Sequence, residues 1–258
     1  MSLANLYAIL SGAAVGMILA VIGGGGSILA TPALLYLVGV ADAHVAIGTS
    51  ALAVSINAFA NLINHARRGN VHWRSGVIFA AAGAIGAAAG AAIGKVTDAH
   101  ILLPLFAVLM IVVGIGMLRG NAHDTHAPPQ VSARATARLL FFGGGVGLVS
   151  GFFGIGGGFL IVPGLILSTG MGMMYAIGSS LLSVGVQGAT TAISYAADGM
   201  IDWPIALLFI AGGIGGGIAG ARIGAHLSTQ RGALQHVFAY VVFATAAYML
   251  YRSFAAPH

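Results

Sequence analysis

The first 66 residues carry one formally charged side chain, Asp42. A stretch that long without charge has no surface to offer to water, and the rest of the chain continues the pattern. Of 258 residues only 6% are charged and 59% are hydrophobic, with a mean hydropathy of +0.99. Soluble domains run near 25% charged. Lipid is therefore the solvent, and the fold class is an all-α integral membrane protein, because helices satisfy their own backbone hydrogen bonds inside a bilayer.

Five apolar segments precede a polar break, at roughly 3–22, 27–39, 44–66, 74–96 and 99–118, and five follow it, at 139–155, 158–171, 173–197, 203–226 and 232–254. Most reach the ~20 residues that a helix needs to cross the hydrocarbon core, whereas the second of each half is shorter. Residues 1–118 read as one transmembrane repeat and 139–258 as a second. The stretch 119–138, with His123, Asp124, His126 and Pro128-Pro129, is expected to be a cytoplasmic linker loop. Met1 to Leu10 lacks the basic start of a signal peptide and is expected to open a retained first helix.

The halves align residue for residue. Gly12, Gly16, Gly23, Gly25, Gly26 and Pro32 fall on Gly143, Gly147, Gly154, Gly156, Gly157 and Pro163 at a shift of 131. At a shift of 130, AIGTS (46–50) matches AIGSS (176–180), and Gly69 and Trp73 match Gly199 and Trp203. Charge then discriminates between parallel and inverted copies. With an odd number of crossings per repeat, Arg67, Arg68, Arg74, Arg119, Arg134, Arg138, Arg222 and Arg231 share one side and leave Lys95 and Arg252 on the other, 8 against 2. Four crossings give 7 against 3. The excess of basic residues in cytoplasmic loops favours the odd count, an inverted-topology repeat, and both termini outside the cytoplasm.

Glycine runs interrupt the first helical pair of each repeat: Gly23, Gly24, Gly25, Gly26 and Ser27, and Gly154, Gly156, Gly157 and Gly158 around Ile155. A helix broken in lipid leaves backbone N–H groups unpaired, and such groups at the start of a half-helix bind anions. Inverted repeats would bring the two breaks together near the midplane. The competing reading is that these glycines only permit close packing. No βαβ pattern surrounds them, so a dinucleotide site is excluded.

The doubled glycine-rich motif followed by Pro, with the later AIG(T/S)S segment, resembles the TauE/SafE family of membrane proteins along essentially the whole chain. That resemblance implies export of sulfite or an organosulfonate across the bacterial inner membrane. Repeat one reads Gly-Gly-Gly-Gly-Ser where repeat two inserts Ile155, so the two sites differ in shape.

Thr49, Ser50, Ser179 and Ser180 open the third helix of each repeat and supply hydroxyl donors suited to an oxyanion. Asn57 and Gln187 match across the repeat, as do Asn61 and Thr191. Asn57, Asn61, Asn64 and His65 share a helical face. Polar groups inside membrane helices line pathways or bond between helices. Glycines at spacings of three or four (83, 86, 90, 94 and 212, 216, 220, 224) mark close helix contacts, within one chain or across a homodimer.

Every acid (Asp42, Asp98, Asp124, Asp198, Asp202) lies at or beyond a helix end, so no carboxylate relay crosses the membrane. Nothing matches a nucleotide-binding, metal-ligand or Ser-His-acid pattern, so no cofactor, no metal and no enzyme activity are expected, and isolated basic residues give no nucleic-acid surface. The expected partners are a small anionic substrate and membrane lipid. A secondary anion transporter leads, with a passive anion channel or an uptake permease as alternatives.

Overall fold

The computed structural model of the protein describes residues 3–119, 132–154, 158–227, 240 and 242–251. Every regular element among them is helical. Helix α1 (Leu3–Ile22) runs into a 3₁₀ turn (Gly23–Leu29), the single turn α2 (Ala30–Pro32) and a π-helical turn (Ala33–Val38). Then come α3 (Ala43–Arg67), α4 (Trp73–Val96), α5 (Ala99–Arg119), α6 (Ala133–Phe153), α7 (Gly158–Thr169), α8 (Met173–Ala197), α9 (Trp203–Leu227) and α10 (Val242–Tyr251). Among the described residues seven stretches are long and apolar enough to cross a membrane, so this is a multi-pass membrane protein. At 1.5 Å per residue α3 and α8 span about 37 Å, whereas α7 covers about 18 Å, short of a ~30 Å core.

One boundary departs from expectation. Helix α6 starts at Ala133, inside the stretch read as a loop, because the Ser132 hydroxyl caps it by accepting from Ala135 N–H at 3.1 Å. Arg134 and Arg138 consequently sit on the first turns of a helix. Residues 120–131, which include His123 and the two prolines, lie outside the described residues, as do 232–239 of the last predicted segment.

The long stretch Leu3–Val38 is not one straight span. Gly23 turns the chain with φ +75°, a conformation that only glycine adopts without strain. A Cβ on Gly26 would stand 2.7 Å from Leu19 N and 3.0 Å from Val15 O, so the segment folds back upon α1. Gly154, φ +65°, ends α6 in the same way, and α7 returns against α6. The one-residue slip between repeats falls in the next connection. Asp42 accepts from His44 and Val45 N–H at the start of α3, while Gly172 starts α8 with no side-chain cap.

Glycine-to-carbonyl contacts join helices of different repeats. A Cβ at Gly12, Gly16, Gly212 or Gly216 would lie 1.9–2.1 Å from the carbonyl oxygens of Phe209, Gly213, Ile9 and Ala13, so α1 and α9 touch backbone to backbone and run parallel. Gly86, Gly90, Gly147 and Gly151 give the same contact between α4 and α6. The glycine stripes thus pack inside one chain, and the surroundings of Gly224 are not among the described side chains. Helix α3 runs parallel to α9, with Asn57 at Gly213 and Asn61 at Gly217; α8 runs parallel to α4, with Gln187 at Gly83. Helices α3 and α8 cross antiparallel, where Ser55 Oγ donates to the Gly185 carbonyl at 2.7 Å. Residues 55 and 185 are equivalent at the shift of 130. The helices therefore form two three-helix bundles, α1/α3/α9 and α6/α8/α4, which the repeat shift interchanges.

Candidate functional site

The third helices are the most enclosed elements of the fold, and each keeps a polar face buried. On α3 it carries Ser50, Asn57, Asn61 and His65; on α8 it carries Ser180, Gln187, Thr191 and Tyr195. Each set follows the 3.6-residue period, and the members pair off at the shift of 130.

Most of the hydroxyls expected to receive an anion are committed to the fold. Ser27 Oγ donates to Gly24 O at 2.8 Å. Ser50 Oγ donates to Ile47 O at 2.9 Å and shares a 2.8 Å bond with Thr31 Oγ1. Ser180 Oγ donates to Ile177 O at 2.8 Å and accepts from Gly24 N–H at 3.3 Å. Ser179 Oγ accepts from His72 N–H, and Thr49 Oγ1 accepts from Asp202 N–H, each at 2.9 Å. Residues 72 and 202 are again equivalent, so each hydroxyl holds the loop that precedes a fourth helix. The side chain of His72 caps α4 from this loop, accepting from Ser75 N–H. Burial, and secondarily the nearby Arg74 charge, push its pKa below the usual imidazole value. A short polar side chain next to an unpaired backbone group bonds to it first, and sequence gives no hint which backbone groups will be left unpaired.

The two glycine turns reach equivalent points of the opposite repeat, Gly23 against Ile177 and Ser180 and Gly154 against Ile47. Gly24 meets Ser180, and Gly154 O stands 3.4 Å from Ser50 Oγ. Those serines lie five residues before the Ser55–Gly185 crossing, so the turns sit about 7.5 Å to either side of it. Gly23 to Gly26 are buried there, and the turn packs on α7 and α8. Gly158 opens α7. Gly156 and Gly157 lie outside the described residues.

Asn57 and Gln187 are different. Both are fully buried, and neither side-chain amide has a hydrogen-bond partner among the described residues. Each lies over a fourth-helix glycine, where a Cβ would fall 2.0 Å from the amide nitrogen: Gly213 beneath Asn57 Nδ2, Gly83 beneath Gln187 Nε2. An unpartnered buried amide costs about 1–3 kcal/mol. Two of them at equivalent positions, two residues from the crossing, form a place kept polar at the expense of stability. The hydroxyls of Tyr195 and Ser150 are likewise buried and unpartnered. The role of Gly213 and Gly217 as floors beneath amides escaped the sequence reading, although Gly213 is the repeat equivalent of Gly83. A further cavity of about 400 Å³, between α6 and α7, is lined by Phe141, Phe142, Gly145, Val146, Val149 and Leu160 and has no polar side chain to offer an anion. No group of three or more His, Cys, Asp or Glu suited to a metal occurs among the described residues.

The family described as Sulfite exporter TauE/SafE matches residues 8–249. This chain belongs to the TauE/SafE family. A probable membrane transporter protein of Xylella fastidiosa (strain 9a5c) is 51% identical over 246 residues, covering 95% of this chain and 94% of the relative. The corresponding protein of strain Temecula1 is 50% identical with the same coverage. The probable membrane transporter protein YunE of Bacillus subtilis is 26% identical over 76% of this chain and 80% of its own length. No solved structure matches the chain. Family and relatives make it a membrane transporter of the TauE/SafE type.

Proposed function

We propose that this TauE/SafE protein is a secondary transporter that exports a small sulfur oxyanion, sulfite or an organosulfonate, across the bacterial inner membrane. The observation that carries the reading is the pair of buried, unpartnered amides, Asn57 and Gln187, beside the α3–α8 crossing. An amide N–H donates to an oxyanion without a fixed charge, which holds the ion weakly enough to release it. Backbone N–H groups of the Gly23 to Ser27 turn and of the α7 start at Gly158 add further donors. Thr49, Ser50, Ser179 and Ser180 position the turns and loops around the path.

Two bundles stitched internally by glycine contacts, and meeting at the α3–α8 crossing with a glycine turn against the opposite bundle on either side of it, favour alternating access by rocking. Tilting about Ser55–Gly185 would loosen the Gly24–Ser180 contact on one side and the Gly154–Ser50 contact on the other. Equivalent helices run in opposite directions, which supports an inverted repeat. The basic residues Arg67, Arg68, Arg74, Arg134, Arg138 and Arg222 all lie at one end of the helices, while Lys95 at the other end is paired with Asp198. The first end is then cytoplasmic, and both chain termini lie outside.

Reconstituted vesicles test the proposal. Sulfite or a sulfonate should exchange across the vesicle wall with saturable kinetics and no net conductance. Steady anion current would make the protein a channel, and transport of alkali cations or neutral amino acids in place of sulfur oxyanions would refute the assignment.

A further inference from the structure

In the α6/α8/α4 bundle the unpartnered polar groups form a line. The Gln187 amide and the hydroxyls of Ser150 and Tyr195 are each 0% exposed, and none has a hydrogen-bond partner among the described residues. Gln187 lies over Gly83, at the level where Gly147 meets the Gly83 carbonyl. Ser150 is three residues past Gly147, so it sits about 5 Å beyond that level, toward the end of the bundle that carries Lys95. Tyr195 follows Gln187 by eight residues on α8, about 12 Å along the axis in the same direction. Its Cα–Cβ bond tilts back toward the start of α8, and so toward Gln187. Between them, Thr191 Oγ1 is committed to the Gln187 carbonyl.

Both hydroxyls border the Gly154 turn. Ser150 lies one turn before it, and its carbonyl accepts the Gly154 N–H that closes α6. Tyr195 shares an apolar cluster with Phe153, which precedes Gly154, and with Ile47, on which Gly154 presses. Alanine and phenylalanine would fill these two places without burying an unpartnered oxygen, which costs stability. Packing alone therefore accounts for neither hydroxyl. The equivalent positions of repeat one hold Leu19, which has no donor, and His65, whose Nε2 lies 3.1 Å from the Ala20 carbonyl. The two halves are chemically unequal at this point.

We infer that Ser150 and Tyr195 bind the substrate anion on the Lys95 side of the crossing, at a second station that opens when the Gly154 turn lifts from Ser50 and that exchanges the ion with Gln187. The inference rests on the anion-transport reading and extends it from the level of the amides to a path. Two O–H donors from different helices can reach two oxygens of one sulfonate head without a fixed charge.

The chain has no cysteine, so Ser150→Cys puts a single thiol at the station. In proteoliposomes a membrane-impermeant methanethiosulfonate bearing a sulfonate should label that thiol from the Lys95 side, and an alkanesulfonate should slow the labelling. Ser150→Ala and Tyr195→Phe remove one oxygen each. Either change should raise the KM for alkanesulfonate on the Lys95 side about tenfold, the loss of one hydrogen bond to a charged group. The KM on the opposite side should stay as in the wild type, and neither variant should melt below it. A thiol that stays unlabelled, that labels only from the opposite side, or that alkanesulfonate does not protect overturns the inference. So does an unchanged KM in either deletion variant, or a lowered melting temperature, which would make the hydroxyls structural. Wild-type vesicles that exchange no sulfur oxyanion refute the transport reading itself, whereas normal wild-type exchange beside an unreactive Ser150→Cys thiol refutes the second station alone.

Discussion

Asn57 and Gln187 show what a single residue can reveal when its environment is known. Hydrogen-bonding groups in lipid-embedded helices normally find partners, and nearly all the serines and threonines here do, on neighbouring carbonyls or opposing loops. Among the described residues the two amides do not, which is the ground on which a role in transport is proposed for them. Gln187→Met keeps the volume and removes the polar atoms. It should raise stability, by up to the ~1–3 kcal/mol that an unpartnered buried polar group costs, while abolishing anion exchange. Thermal melting of the detergent-purified variant alongside vesicle flux checks both halves of the statement. A lower melting temperature would mean that the amide holds the fold together.

At the scale of helices the glycines separate into groups with different duties, although they look alike in sequence. Gly16 faces the Gly213 carbonyl so closely that a Cβ would lie 2.0 Å from it, whereas a Cβ on Gly145 would meet nothing within 4 Å. Gly16→Ala must push α1 away from α9, an overpacking defect of about 1–3 kcal/mol or more. Gly145→Ala should be neutral or stabilise by up to about 1 kcal/mol, since alanine is the better helix former. Melting temperatures of the two variants should therefore move apart. Equal shifts would mean that the α1–α9 contact is looser than the geometry states.

Across the whole molecule the repeats exchange helices. Each bundle takes its first and third helices from one repeat and its fourth from the other, so neither repeat is a self-contained unit. Motion about the α3–α8 crossing can be tested by cross-linking, and a chain with no cysteine gives a clean background. Ser55→Cys with Gly185→Cys joins the bundles at the crossing and should leave much of the transport intact after oxidation. Gly24→Cys with Ser180→Cys pins one turn to the opposite bundle and should stop transport on oxidation and restore it on reduction. Equal inhibition by both disulfides would argue against rocking about this point.

The apolar runs and scarce charges made the membrane helices legible, because lipid leaves the backbone few alternatives to a helix. The repeat was legible from Gly, Pro and Trp at constant offset, and the glycine breaks marked where each hairpin turns. Asn57 and Gln187 were visible as matched polar residues, yet sequence could not separate them from Thr49, Ser50, Ser179 and Ser180, which looked like better anion ligands. That distinction belongs to the tertiary structure. A hydroxyl can donate to a substrate only if its hydrogen is not already given to a carbonyl, as those of Ser50 and Ser180 are, and the loop N–H groups that Thr49 and Ser179 hold come from residues more than a hundred positions away, Asp202 and His72. Local pattern fixed which elements form, since helix formation answers to neighbours three and four residues apart. Which polar atoms remain unpaired is decided by how α3 and α8 meet the other repeat.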